Sequence, residues 1–152
     1  MKNNKGFSLV ELIIVIAIMA ILVGVMAPQL IKYIEKTNVS SDTQLCDSIK
    51  TAITTAMMDP SVIASSNANI PTNSTFAYVS AIGTGDFHDA VEEILGFSLN
   101  SVESKTKSTY SGTKANGVKY AIVGANSVHV MIDNSDSTGK KGNNGKNSIY
   151  VD

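Results

Sequence analysis

From Phe7 to Ala27 the chain runs for twenty-one residues in which Glu11 is the single ionisable side chain and the rest, Ser8 apart, are apolar or small. At about 1.5 Å of rise per residue a helix of this length reaches about 30 Å, enough to cross the hydrocarbon core of a bilayer. The chain is therefore expected to begin in a membrane. Only the residues beyond Ala27, 125 of the 152, are left to build a core in water.

The flanks decide what kind of membrane segment this is. A secretory signal has a basic start, a shorter apolar run and a small-residue cleavage site behind that run. Lys2 and Lys5 supply the basic start, but the apolar run is too long and the small residue, Gly6, stands in front of it. Cleavage at Gly6 would remove a six-residue basic leader and leave the apolar helix on the mature chain. The string Gly6-Phe7-Ser8-Leu9-Val10-Glu11 resembles the type IV pilin signal. The resemblance implies that prepilin peptidase cuts after Gly6 and that the same enzyme N-methylates Phe7. It also implies that Glu11, the fifth mature residue, pairs with the Phe7 amine of a neighbouring subunit and so sets register. The motif-level likeness covers residues 1–35, and the short leader and the Phe at the new terminus are of the a-type. Charge alone makes Glu11 a candidate, because a carboxylate well inside a bilayer costs about 2.5 to 3.5 kcal/mol. Within a few Å of the helix start it can equally reach the headgroups.

Helical periodicity continues past the apolar run. Ile31, Ile34, Leu45, Ile49, Ile53 and Met57 recur at spacings of three or four, with Cys46, Ala52 and Ala56 widening the stripe. Lys32, Glu35, Lys36, Asp42, Asp47 and Lys50 are read as the opposite, solvated face. One helix is expected from Phe7 to Met58, ended by Asp59-Pro60, with Thr37 to Ser41 as its weakest stretch. Pro28 has no N–H for the carbonyl of residue 24, and residue 24 is Gly, the weakest helix former after Pro. Gly24 to Pro28 is thus a soft spot, and the resemblance implies a kink or melt there on packing in a fibre.

Ser61 to Thr75 reads as a loop, and Phe76 to Ile82 is ambiguous between a short helix and a strand. Asp86 is expected to cap a helix over Phe87–Leu95 that stops at Gly96. Phe97 to Leu99 reads as the start of an extended segment. Val118–Val123, Ser127–Ile132 and Ser148–Val151 read as an antiparallel meander, the first two joined through Gly124-Ala125-Asn126. Its apolar face, Val128, Val130 and Ile132, is expected to cover the outer half of the long helix. The fold class is α+β, a long N-terminal helix against a small antiparallel sheet, as in pilins. The divisions are a leader at 1–6, a membrane and fibre-core half-helix at 7–28 and an amphipathic half at 29–59. A connecting region with a short helix occupies 60–117, and the sheet 118–152.

Little here points to catalysis. His88 and His129 are the only histidines, and no zinc, P-loop, dinucleotide or serine-hydrolase spacing occurs. No cofactor is expected, and the reading is not an enzyme. Cys46, the only cysteine, is read as a small core residue. No intramolecular disulfide can form, a departure from the C-terminal staple that the resemblance would imply. The oxygen-rich stretch 133–139 fails the EF-hand spacing and is read as a loop rather than a calcium site. Removing the leader leaves ten lysines, no arginine and thirteen carboxylates, which gives no global attraction to nucleic acid. Lys105, Lys107, Lys114, Lys119, Lys140, Lys141 and Lys146, near Tyr110 and Tyr120, are read as keeping the head soluble, with a DNA-binding face as the disfavoured alternative.

The resemblance accordingly implies a structural subunit of a type IV pilus, held in the cytoplasmic membrane as a precursor and then built into a cell-surface fibre that supports adhesion, aggregation or twitching motility. Its partners would be copies of itself, the prepilin peptidase and N-methyltransferase, the assembly platform with its ATPase, and membrane lipid. The alternative is a pseudopilin of type II secretion, or a minor or competence pilin that binds DNA.

Overall fold

In the computed structural model α1 spans Leu9–Met58 as a single α-helix that includes Pro28. The structure describes residues 6–72, 74–108, 117–124, 127–133 and 148–152. It divides into two units, Met1–Lys36 and Thr37–Asp152. The boundary falls inside α1, at the start of the Thr37–Ser41 stretch of poor helix formers.

In the first unit the helix runs through a stretch that is apolar or small as far as Ala27 apart from Glu11, and neither Gly24 nor Pro28 interrupts it. Its side chains are exposed on every face, among them Leu9 at 72%, Ile21 at 68% and Val23 at 65%. A helix that is apolar all round belongs in lipid or inside a protein assembly. The mean hydropathy of its most apolar window is 3.0, none of it buried within the chain.

In the second unit α1 is amphipathic. Cys46, Ile49, Ala52, Ile53 and Ala56 are buried at helical spacing and face one hydrophobic core. Hydroxyl residues, poor helix formers, are accommodated by donating to the carbonyl one turn back: Thr43 to Val39 at 2.9 Å, Thr51 to Asp47 at 2.8 Å and Thr54 to Lys50 at 2.8 Å. Asp42 departs from the expected pattern. It is fully buried rather than on the solvated face.

The helix ends at Met58 as expected, but Asp59 and Pro60 also begin something. Asp59 accepts from the Ser61 amide at 2.8 Å and caps the short helix α2, Pro60–Ile63, with Pro60 in the first turn. The ambiguous stretch after the loop is both things it resembled: strand β1, Ala77–Tyr78, followed by a 3-10 turn, Val79–Ala81.

Helix α3 covers Asp86–Leu95, and its cap corrects the sequence reading. Asp86 lies within the first turn, and its amide and that of Phe87 donate at 3.2 Å to the backbone carbonyls of Asn67 and Ala68. The preceding residue is Gly85, with φ 150°, and a Cβ there would stand 2.6 Å from the Asn67 carbonyl. The end of α3 is as expected: Gly96 is left-handed, and its amide donates to the Glu92 carbonyl at 2.8 Å. The extended segment expected at Phe97 to Leu99 is instead a bend leading into a 3-10 turn, Leu99–Ser101, and helix α4, Val102–Lys105. The Glu92 carboxylate imposes this by accepting from the Ser98 hydroxyl at 2.9 Å and the Leu99 amide at 2.7 Å.

Strands β2 (Val118–Val123), β3 (Ser127–Asp133) and β4 (Ser148–Val151) form the expected meander, and β1 adds a fourth antiparallel strand in the order β1-β2-β3-β4. The pairs Val118–Ile132, Tyr120–Val130 and Ile122–Val128 place six side chains on the core face, where all are buried. They meet Phe87, Val91, Leu99 and Val102 from the intervening segment and Ile49 and Ile53 from α1. The long helix and small antiparallel sheet make this an α+β chain with the elements of the pilin fold.

Candidate functional site

The most specific roles that the resemblance implies fall on the N-terminal residues. Gly6, Phe7 and Ser8 precede α1 and are exposed, Phe7 at 92%. Among the described residues, a Cβ on Gly6 would meet nothing within 4 Å. The same holds for Gly24.

Glu11 sits in the first turn of α1, and its Oε2 accepts the backbone N–H of Ser8 at 2.9 Å. The Leu12 amide reaches the Ser8 carbonyl at 3.2 Å. Ser8 is thus the cap residue, and Glu11, three positions on, satisfies one of the orphan amides of the helix start. Sequence reasoning missed this second role, although the Ser-x-x-Glu pattern signals it directly. Glu11 is exposed, as are its neighbours Leu9, Val10 and Leu12. Gly24 and Pro28, the proposed soft spot, lie about 20 Å and about 26 Å further along the helix axis by rise alone. The helix remains continuous through both.

Two further polar arrangements lie in the second unit. Asp42 accepts the Lys107 and Ser108 amides, each at 2.8 Å, and the Ser108 hydroxyl. A carboxylate buried in α1 thereby fastens the backbone that follows α4, more than sixty residues away in sequence. Asp42 also adds to the effect of burial on Cys46, whose thiol is pushed up to about 12, so it stays protonated and inert at neutral pH. On β3 the imidazole of His129 lies between Tyr150, whose hydroxyl is 2.8 Å from Nδ1, Asp152 at 3.2 Å from Nδ1, and Ser127 at 3.1 Å from Nε2. Tyr150 is raised above its ordinary value by burial and by Asp152. Its ring also meets Phe76, centroids 6.3 Å apart, so these groups clasp the face of the sheet opposite the core. His88, on α3, pairs with Asp89 at 3.1 Å and Glu92 at 3.5 Å. Among the described residues no three His, Cys, Asp or Glu side chains are grouped to hold a metal ion.

The basic face considered from sequence is not assembled as written. Tyr120 is in the core and Lys119 is 6% exposed, its ammonium 5.3 Å from the Tyr78 ring centre. Lys105 and Lys107 are exposed. Tyr110, Lys114, Lys140, Lys141, Lys146, the 134–139 part of the oxygen-rich stretch and Ala125-Asn126 lie outside the described residues.

Comparison with known proteins bears on the first of these sites. The family described as the prokaryotic N-terminal methylation motif matches residues 1–27. The chain is 39% identical over 66 residues to a fimbrial protein of Pseudomonas aeruginosa, a stretch that covers 43% of each chain. It is 46% identical over 55 residues to a fimbrial protein of Moraxella nonliquefaciens, 36% of each. Over 56 residues it is 42% identical to the type IV major fimbrial protein FimA of Dichelobacter nodosus, 37% of this chain and 36% of that one. The chain thus matches less than half the length of these relatives. No solved structure matches it significantly. The resemblance to type IV pilins is borne out: the chain carries the N-terminal methylation motif, and the relatives it matches are named as fimbrial proteins.

Proposed function

We propose that this chain is a structural subunit, in the manner of a major pilin, of a type IV pilus. The observation that carries the reading is a helix apolar on every face and wholly exposed in the isolated chain, standing directly behind Gly6-Phe7 and the methylation motif. Such a surface needs an apolar environment throughout the life of the protein. Lipid supplies it to the precursor, and the bundled helices of other copies supply it in the fibre. The pseudopilin and competence alternatives are not favoured, because the relatives are named as fimbrial proteins.

The residues divide the work. Gly6 presents a side-chain-free bond to the peptidase, and cleavage there turns the Phe7 nitrogen into a charged amine that the same enzyme methylates. Glu11, already aimed at the helix start by its bond to Ser8, retains a carboxylate oxygen for the Phe7 amine of an incoming copy. In a core of low dielectric an unpaired partner of such a pair is penalised by about 3 to 5 kcal/mol, so a helix is accepted at one axial step and refused at others. Gly24 and Pro28 remove one helix bond where the propensity is lowest, and the helix yields there on passing from lipid into the fibre. The assembly platform and its ATPase supply the work of extraction. No step requires a cofactor, a metal or a catalytic side chain of this chain.

Immunogold labelling of intact cells with antibody against residues 60–152 tests the reading. Gold along thin surface filaments is the expected result. Label confined to the cytoplasmic membrane, with none on filaments, refutes it.

A further inference from the structure

A groove on the Thr37–Asp152 unit has one end apolar and the other basic. The more apolar part, about 440 Å³, is lined by Leu45, Ile94, Leu95 and Phe97 together with Asp47, Ser48 and Thr51. The basic part, about 410 Å³, is lined by Lys105 and Lys107, and the two share Leu45 and Ser48, which makes them continuous. The Lys105 ammonium stands 4.4 Å over the Phe97 ring, which places an exposed charge at the junction of the two parts. The groove thus suits an occupant that brings apolar side chains and an anion together.

The same unit displays such a surface elsewhere. At the end of α1 and in α2, Met58 and Ile63 are 55% and 60% exposed, and Asp59 lies between them in sequence. The Ser61 hydroxyl and amide hold the Asp59 carboxyl below its ordinary value, so it is an anion at neutral pH. We propose that in the fibre the Met58-Asp59-Ile63 knob of one copy docks in the Leu45-Phe97-Lys105 groove of another. The knob and groove of one chain cannot meet, since Ser48 and Met58 are ten positions apart on one helix, about 15 Å. The contact is therefore between unlike surfaces of two copies, the kind that propagates as an open filament rather than closing as a dimer. Orientation is set by charge: Asp59 is drawn to Lys105 and Lys107 and repelled by Asp47, which lines the apolar part alone. The inference rests on the fibre reading and adds to it a contact between heads, separate from the helix core.

The test is a disulfide between exposed positions on the two surfaces, S48C with I63C in the full chain, read on sheared fibres by non-reducing electrophoresis. A ladder of multimers is expected from the double variant and only monomer from either single variant. Should the double variant not assemble, the two single variants co-expressed report the same contact as a dimer. Fibres that contain both cysteines yet run only as monomers overturn the docking and leave the fibre reading standing. Absence of fibres from the unsubstituted chain removes the fibre reading, and the docking with it.

Discussion

Replacing Asp42 by Ala should be among the most damaging single changes in the head. The substitution leaves the Lys107 and Ser108 amides and the Ser108 hydroxyl without their acceptor. Ser108 is 3% exposed, so water cannot take its place without the segment opening. Each buried donor left unsatisfied costs about 1 to 3 kcal/mol, and opening of the segment recovers part of it, which sets the loss at about 3 to 5 kcal/mol. For a domain of this size each kcal/mol is worth about 4 °C in Tm, so the melt should fall by about 12 °C or more. The assay is the thermal loss of the near-ultraviolet tyrosine signal in the full chain in detergent, where buried Tyr120 reports the head and the apolar helix is silent. Asp47→Ala, an exposed neighbour on the same helix, should change stability by less than about 0.5 kcal/mol. A D42A protein that melts within about 2 °C of the parent would refute the argument that this carboxylate holds the segment after α4.

Glu11→Ala should still be cleaved and methylated but yield few fibres, and Glu11→Gln, which keeps the bond to Ser8 without the charge, should assemble as poorly if charge pairing rather than capping is what counts; normal fibre yield from Glu11→Gln would leave only the capping role. Cys46 should resist a maleimide at pH 8 in the native protein and react once the head is unfolded, as its elevated thiol requires; labelling of the native chain at the rate of a free thiol would contradict its burial. Glu92 is held below its ordinary value of 4.5, first by the Leu99 amide and then by the Ser98 hydroxyl. Its contribution is therefore full above about pH 4.5 and is lost as the pH falls through the lowered value. Glu92→Gln should flatten the acid side of the stability profile, and an unchanged acid slope would argue against the Glu92 clamp.

How far the fold could be read from sequence differs between its parts. The apolar helix, the stripe from Cys46 to Ala56 and the β2–β3 hairpin were legible because each rests on local periodicity, and periodicity survives whatever the rest of the chain does. Asp42 was misread for the same reason. Its place on the helical wheel is all that sequence gives, and the amides that satisfy it arrive from residues 107 and 108. The cap of α3 failed alike, since Asp86 looks like a cap until the carbonyls of Asn67 and Ala68 take its place. The bend at Phe97 to Leu99 depends on Glu92, and strand β1 is two residues long and defined only by pairing with Lys119 and Tyr120. At the N-terminus the position was reversed. Ser8 and Glu11 are three residues apart, and the capping pattern could have been read without any structure. The docking surfaces were not legible, because the groove is made from α1, α3 and the segment after it, which only folding brings together.

Assembly as a pilin depends first on what the N-terminus becomes. The most direct measurement is mass spectrometry of the chain recovered from sheared surface filaments, beside the same chain carrying Gly6→Val recovered from membranes. The filament protein is expected to begin at Phe7 with one added methyl group, and the Gly6→Val chain to keep its leader and to be absent from filaments. Filaments built from chains that still carry residues 1–6, or an unmethylated terminus elsewhere in the sequence, would contradict it.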